Sequence, residues 1–295
     1  GARAGAAPEA PAAGGTAGAE RLYEDLRAAA GAGDGAAFQE ALRALKESGE
    51  VRLFDSYPRQ LPSGKKVEAF DLSLVGIRTP DALVTSVDYT GPSIVLSVLF
   101  VTLAVLTQSA GFFVTLSLLL LSAGSIWAGA FAPQLLPRDT SEEVARVQAH
   151  EAAHFLVGYL LGVPICGYSV DAAGRPRVEL DERIGPLSGY TSSRKALDVF
   201  CVVVCAGIAG ETQLWDGSQG GSADLVALAK AVSRGPAGAD IAGPREFGDF
   251  QRWGIFYAAS MLREHKASWS ALQRAMADGA DLCGCVIALE RAAVR

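Results

Sequence analysis

Between residues 20 and 48, apolar side chains return at helical spacing. Leu22, Leu26, Phe38, Ala41, Leu42 and Leu45 share one face, with charged positions between them. The glycines of 31–35 interrupt this pattern, which predicts two helices folded as a hairpin. Residues 51–88 read differently. Val51, Leu53 and Phe54, then Val67, Ala69 and Phe70, then 83–87 are short apolar runs between Pro, Gly and Ser, the pattern of short strands. Residues 20–88 are therefore expected to form a small α+β domain. Residues 1–19, nearly all Ala, Gly and Pro, have almost nothing to bury and are expected to be disordered.

The pattern then changes again. Residues 89–137, a stretch of 49, contain no charged side chain. A bilayer core is about 30 Å thick and takes roughly 20 helical residues to cross. The stretch is too long for one crossing and suits two, over 93–106 and 112–131, with a turn at 107–111. The soluble alternative would need two helices apolar on every side within a small domain. Two crossings return the chain to the side it left. Lys65, Lys66, Arg78, Arg138 and Arg146 flank the hairpin, and its far turn carries no charge, so the positive-inside tendency places both polar parts on the cytosol-like side.

Beyond Arg138 the chain reads as mostly helical. Residues 141–161 form one predicted helix, with Thr140 or Ser141 as cap, Glu142 and Glu143 in the first turn, and Gly162 and Pro164 as the stop. Strands follow at 165–170 and 177–180, joined by Asp171-Ala172-Ala173-Gly174. A buried helix is expected over 197–214, a helix over 225–233 opened by Asp224, a loop over 235–243, and about three helices across 247–295. The apolar face of Trp253, Phe256, Tyr257 and Leu262 reads as core. The fold class is mainly α: a membrane helical hairpin, then a mostly helical domain of residues 138–295 with a small β-hairpin, the whole preceded by the small α+β domain.

Composition narrows the chemistry. The formal charge is −6, and no cluster of Lys and Arg offers a phosphate surface, so nucleic acid is not an expected partner. ATP binding is not expected either. The nearest approach to a nucleotide loop is Ser63-Gly64-Lys65, and Arg59 stands where the loop needs glycine. Five cysteines do not make a disulfide framework. Cys201 and Cys205, four apart in an apolar stretch, are expected on one buried helix face, and Cys283 and Cys285 form a lone pair with no second pair to complete a zinc site.

One motif does carry chemistry. His150-Glu151-Ala152-Ala153-His154 lies inside the predicted helix 141–161. Residues four apart on a helix differ by about 40° in direction and one turn in height, so two imidazoles can converge on one ion. Zinc lowers the pKa of bound water from 15.7 to about 7, and the intervening Glu151 can take the proton as general base. With three histidines and sixteen glutamates in the chain, the pattern would arise by chance in about two of a thousand such sequences. His265, in the charged run Arg263-Glu264-His265-Lys266, reads as a solvated helix end. Zinc needs a third protein ligand, and a carboxylate is the physical expectation. Chemistry alone leaves Asp171, Glu179, Asp181, Glu182, Asp198, Glu211, Asp216, Asp224 and Asp240 as candidates.

The helix bearing His150, Glu151 and His154 resembles the peptidase domain of FtsH-type zinc metalloproteases, whose motif is His-Glu-Ala-Gly-His. Gly189-Tyr190-Thr191 is similar to the family's Gly-Tyr-Thr stretch, and Ala206-Gly207-Ile208-Ala209-Gly210-Glu211 to its Gly-Gly-Arg-Ala-Ala-Glu segment. Gly220-Gly221-Ser222-Ala223-Asp224-Leu225 resembles Thr-Gly-Ala-Ser-Asn-Asp-Leu, whose aspartate is the third zinc ligand. The resemblance covers roughly 141–232. It implies Asp224 as that ligand, Glu211 as an orienting residue, Zn2+ as cofactor and a protein or peptide as substrate. Three features depart from the family. No AAA ATPase lies between 131 and 141; Ala153 replaces Gly; Ile208 and Gly210 replace Arg and Ala. The layout resembles the ATPase-lacking FtsH-like proteins of plants and green algae. That likeness implies a chloroplast membrane, thylakoid or inner envelope, with the polar parts on the stromal side, anchorage in lipid by the two-helix hairpin, and a separate ATPase or a membrane complex as partner.

Three functions follow as expectations. The first is an anchored zinc metalloendopeptidase without its own unfoldase. The second is a catalytically silent FtsH-like scaffold or assembly subunit. The third, an intramembrane protease of the site-2 type, is disfavoured by Ser141, Glu142, Glu143 and Arg146 on the motif helix and by the lack of the partner Asn-Pro motif before Trp215-Asp216-Gly217.

Overall fold

The structure, a computed structural model, describes residues 14–58, 61–62, 66–80, 83, 102, 111, 140–170, 176–241 and 243–293. The expected membrane hairpin, the turn 171–174 and the stretch 63–65 fall outside the described residues, apart from Thr102 and Gly111. The described part is mainly helical, with a single two-stranded sheet. Its first helices are α1 (Gly14–Ala32), α2 (Gly35–Glu47), the short α3 (Ala69–Leu74) and the long α4 (Thr140–Leu160). Strands β1 (Ile165–Val170) and β2 (Pro176–Leu180) pair antiparallel, Tyr168 opposite Val178. Then come α5 (Arg194–Val204), α6 (Ala206–Leu214), α7 (Ser222–Arg234), α8 (Pro244–Glu264), α9 (Lys266–Ala277) and α10 (Leu282–Ala293).

The helical hairpin of α1 and α2 stands where the apolar spacing predicts it. Asp34 caps α2, its carboxylate accepting the N–H groups of Ala36 and Ala37 at 3.0 Å each. Leu26, Phe38, Ala41, Leu42 and Leu45 are buried. Two expectations fail in this region. Helix α1 already starts at Gly14, inside the stretch 1–19 expected to be disordered. No strand occurs among the described residues of 51–80. Val51, Leu53 and Phe54 are buried in irregular chain, and Ala69 and Phe70 open helix α3 instead. A capping box starts α3: Asp71 Oδ2 accepts the Glu68 N–H at 3.0 Å, and the Glu68 carboxylate accepts the N–H of residue 71.

By contact, the chain falls into two compact units, Gly1–Leu83 with Arg146–Arg295, and Val84–Ala145. In the first, α1 and α2 are not set apart as a domain of their own: α2 packs on β1, and α1 on α10. Its core is α5 and α6, two helices broken at Cys205, where one is expected over 197–214. Helix α8 packs across both. Arg194–Leu214 is the one described segment long and apolar enough to cross a membrane, and 83% of its apolar window is buried inside the protein. Cys201, Cys205, Cys283 and Cys285 are buried and all five cysteines are free. Trp253 and Leu262 of α8 are buried, Phe256 and Tyr257 half-buried.

Candidate metal centre

Helix α4 delivers the motif. His150 is buried, His154 keeps 12% of its side chain exposed, and their rings stand edge to face with centroids 4.7 Å apart. Each ring is anchored through Nδ1. His150 Nδ1 bonds Glu211 Oε1 on α6 at 2.8 Å, and His154 Nδ1 bonds the Val203 carbonyl on α5 at 2.8 Å. Both partners are acceptors, which assigns the proton of each neutral ring to Nδ1. The Nε2 lone pairs are left facing each other at 3.0 Å.

Asp224, in the first turn of α7, closes the triangle. Its Oδ2 lies 3.0 Å from His150 Nε2 and 3.5 Å from His154 Nε2. It is nevertheless a buried oxygen that accepts no hydrogen bond. With both rings neutral, two lone pairs and a carboxylate oxygen converge on one point, an arrangement that repels itself unless a positive charge, a proton on His150 or a metal ion, fills it. The spacing fits one. Ligands about 2.0–2.1 Å from a tetrahedral ion lie about 3.3 Å from one another. His150, His154 and Asp224 could thus hold a metal ion.

Charge tells the same story. Burial disfavours a charged His150, but Asp224 and Glu211 outweigh it and push its pKa up to about 10. Burial would likewise raise Asp224, yet the two histidines hold it well below the usual carboxylate range. The pocket is built for positive charge. Glu211 is 1% exposed and saturated: besides His150 it accepts from Ser218 Oγ at 2.9 Å, Gln219 N at 2.9 Å and Gly220 N at 3.2 Å. It thereby fixes both His150 and the loop leading to Asp224. Glu151 points elsewhere, its Oε2 accepting the Val178 N–H of β2 at 2.8 Å.

Small residues make the approach of α4 and α6 possible. A Cβ added at Gly207 would fall 2.3 Å from His150 Cε1 and Nε2. At Gly210 it would fall 2.9 Å from the Ala153 Cβ. Ala153 and Gly210 face each other where the two helices meet.

The other candidate carboxylates are engaged elsewhere. Arg183 holds Asp181, Arg194 holds Asp198 and Asp240, and Glu182 accepts from Tyr190. Glu179 lies on β2, Asp216 is exposed, and Asp171 is outside the described residues. His265 is half-buried between α8 and α9, not a solvated end, and burial lowers its pKa. The Val203 carbonyl is absent from any reading of side chains. No protein-family model, curated protein or solved structure matches this chain.

Proposed function

We propose that the protein is a membrane-anchored, FtsH-like zinc metalloendopeptidase without its own ATPase. The observation that carries the reading is the convergence of two Nδ1-anchored imidazoles and an unpartnered Asp224 oxygen on one point. Two histidines and one carboxylate are the ligand set of a catalytic rather than a structural zinc, since a fourth position stays open. Zinc held there supplies a Lewis acid and a water acidic enough to attack a peptide carbonyl near neutral pH.

The chain's own residues supply the rest. Glu211 and Val203 hold the imidazoles in the tautomer that leaves Nε2 free for the ion. Glu151 follows His150 on α4 and is the base that takes the water's proton. It rests on the Val178 N–H of β2, whose sheet has only two strands among the described residues and so leaves strand edges for an extended peptide. A substrate carbonyl that takes over the Val178 N–H releases the Glu151 carboxylate for proton transfer. Binding and activation of the base are then one event.

Glu151→Gln is the test. The purified variant should keep zinc at the wild-type level while cleavage of casein falls at least 1,000-fold, on the order expected for a lost general base. A wild type that binds zinc and cleaves neither casein nor loose peptides would sink the reading and leave a scaffold.

A further inference from the structure

Residues that precede and residues that follow the uncharged stretch 89–137 bond to one place, the end of α6 and the loop that orders the metal site. Ahead of the stretch, Val75 O accepts from Gln213 Nε2 at 2.8 Å, Arg78 N donates to Thr212 O at 3.3 Å, and Leu83 O accepts from Ser218 N at 3.0 Å. After it, Arg146 Nη1 donates to Gly217 O at 3.3 Å, and its guanidinium lies 4.8 Å from the centre of the Trp215 ring. The chain thus leaves and rejoins this unit along the end of α6 and residues 215–221, and the ligand Asp224 follows three residues later.

Helix α3, joined to the same end of α6 through Val75, carries two large apolar side chains turned outward. Phe70 is 71% exposed and Leu74 53% exposed, one turn apart, while Leu72 between them is buried. Of the large apolar residues described, only Val226 is comparably exposed. The two acids of α3, Glu68 and Asp71, are engaged in its capping box. The Arg263 guanidinium donates to the Leu74 carbonyl at its other end. Outward Phe and Leu on α3, and a half-buried Trp215 under an arginine just past the end of α6, are the residue types that settle at a membrane–water interface.

We propose that this flank, with Phe70, Leu74, Trp215, Arg78 and Arg146, rests on the lipid surface and holds the metal site beside it. The proposal rests on reading 89–137 as membrane-spanning. Chain length selects lipid over a protein partner. Five residues separate Leu83 from the start of the stretch, six steps with a reach of about 20 Å at full extension. A bilayer that receives the stretch must therefore come close to the loop 215–221.

Fluorescence quenching tests it on the full chain in phosphatidylcholine–phosphatidylglycerol vesicles carrying a shallow spin-labelled lipid. In a Cys166→Ser background the remaining cysteines are buried, so a dye can be placed on Phe70→Cys alone, on Ser117→Cys inside the stretch, or on Glu40→Cys. Glu40 lies on α2, whose Gln39 bonds the Gly162 carbonyl at the far end of α4, roughly 20 Å along the helix from Arg146. The label at 70 should be quenched at least threefold more than the label at 40. Equal quenching at 70 and 40, with strong quenching at 117, overturns the proposal and leaves the membrane reading intact. No quenching at 117 removes both.

Discussion

Two buried glutamates hold α4, one at its middle through His150 and one at its C-terminal end through Tyr159, and locally they look alike. Glu211 is 1% exposed and Glu290 5%. Glu211 accepts from Ser218 Oγ, Gln219 N, Gly220 N and His150; Glu290 accepts from Arg52 N at 2.9 Å, Leu53 N at 2.9 Å and the Tyr159 hydroxyl at 2.8 Å. Each meets the requirement that a buried carboxylate be surrounded by donors. The difference lies one group further on. Behind Tyr159 are Phe54 and Phe155, with ring centres 5.3 and 6.4 Å away, and the network ends in packing. Behind His150 are a second imidazole and an aspartate oxygen with no donor, and the network ends open. A buried charge by itself marks neither function nor structure. The place where satisfaction runs out does, and only in company: Thr79, Tyr168 and His265 also bury an unpartnered atom, but none of those atoms is an anionic oxygen beside two lone pairs.

The sharpest way to break this contrast is to remove the open end. Asp224→Ala deletes one of the three groups that could hold a metal ion, so the Kd for zinc should rise about 1,000-fold in a chelator competition. Unaltered zinc affinity would mean the triangle holds no ion. Glu290→Ala is the mirror experiment. It strands two backbone N–H groups and a buried hydroxyl and should cost about 3 kcal/mol in denaturant unfolding. Zinc bound per folded molecule should stay at the wild-type level, and a loss of zinc there would erase the distinction between the two ends.

How much of this is legible in the sequence differs by residue. His150, Glu151 and His154 can be read because the spacing alone sets their geometry on a helix. The β-hairpin and the glycine stop of α4, Gly162 with φ 68°, can be read for the same local reason. Asp224 cannot be read from chemistry, which leaves nine carboxylates. The structure separates them by their arginine partners, local for Asp181 and Asp198 and distant for Asp240, which pairs with Arg194 across 46 positions. The Val203 carbonyl has no side-chain signal at all, and the need for glycine at 207 exists only once α6 crosses α4. Helix α3 is too short to show a period, so its apolar residues pass for a strand. Its one honest sign is Asp71, three residues after Glu68. The Tyr159–Glu290 contact spans 131 positions, and no local rule reaches that far.

A gentler change tests the same two ends without stripping a ligand. Glu211→Gln keeps shape and volume but replaces one acceptor oxygen by a donor amide, in a group that orients His150 and receives three loop donors. Zinc affinity should fall 10- to 100-fold, the usual range for a residue that positions a ligand, and unfolding should shift by about 1 kcal/mol. If stability collapses while zinc affinity holds, Glu211 belongs with Glu290 as an anchor of the fold.

The smallest effect belongs to Tyr159→Phe. The ring and its contacts with Phe54 and Phe155 remain, and only the hydroxyl that donates to Glu290 is lost. Glu290 still accepts from Arg52 and Leu53, so its charge is not abandoned. The loss should be about 1 kcal/mol, that of one hydrogen bond. His150 and Tyr159 are nine residues apart on α4, about 13 Å along the axis. Zinc affinity measured on Tyr159→Phe should therefore match the wild type within twofold. A larger change would show that the two networks communicate through the helix, and α4 would have to be treated as one coupled element carrying both.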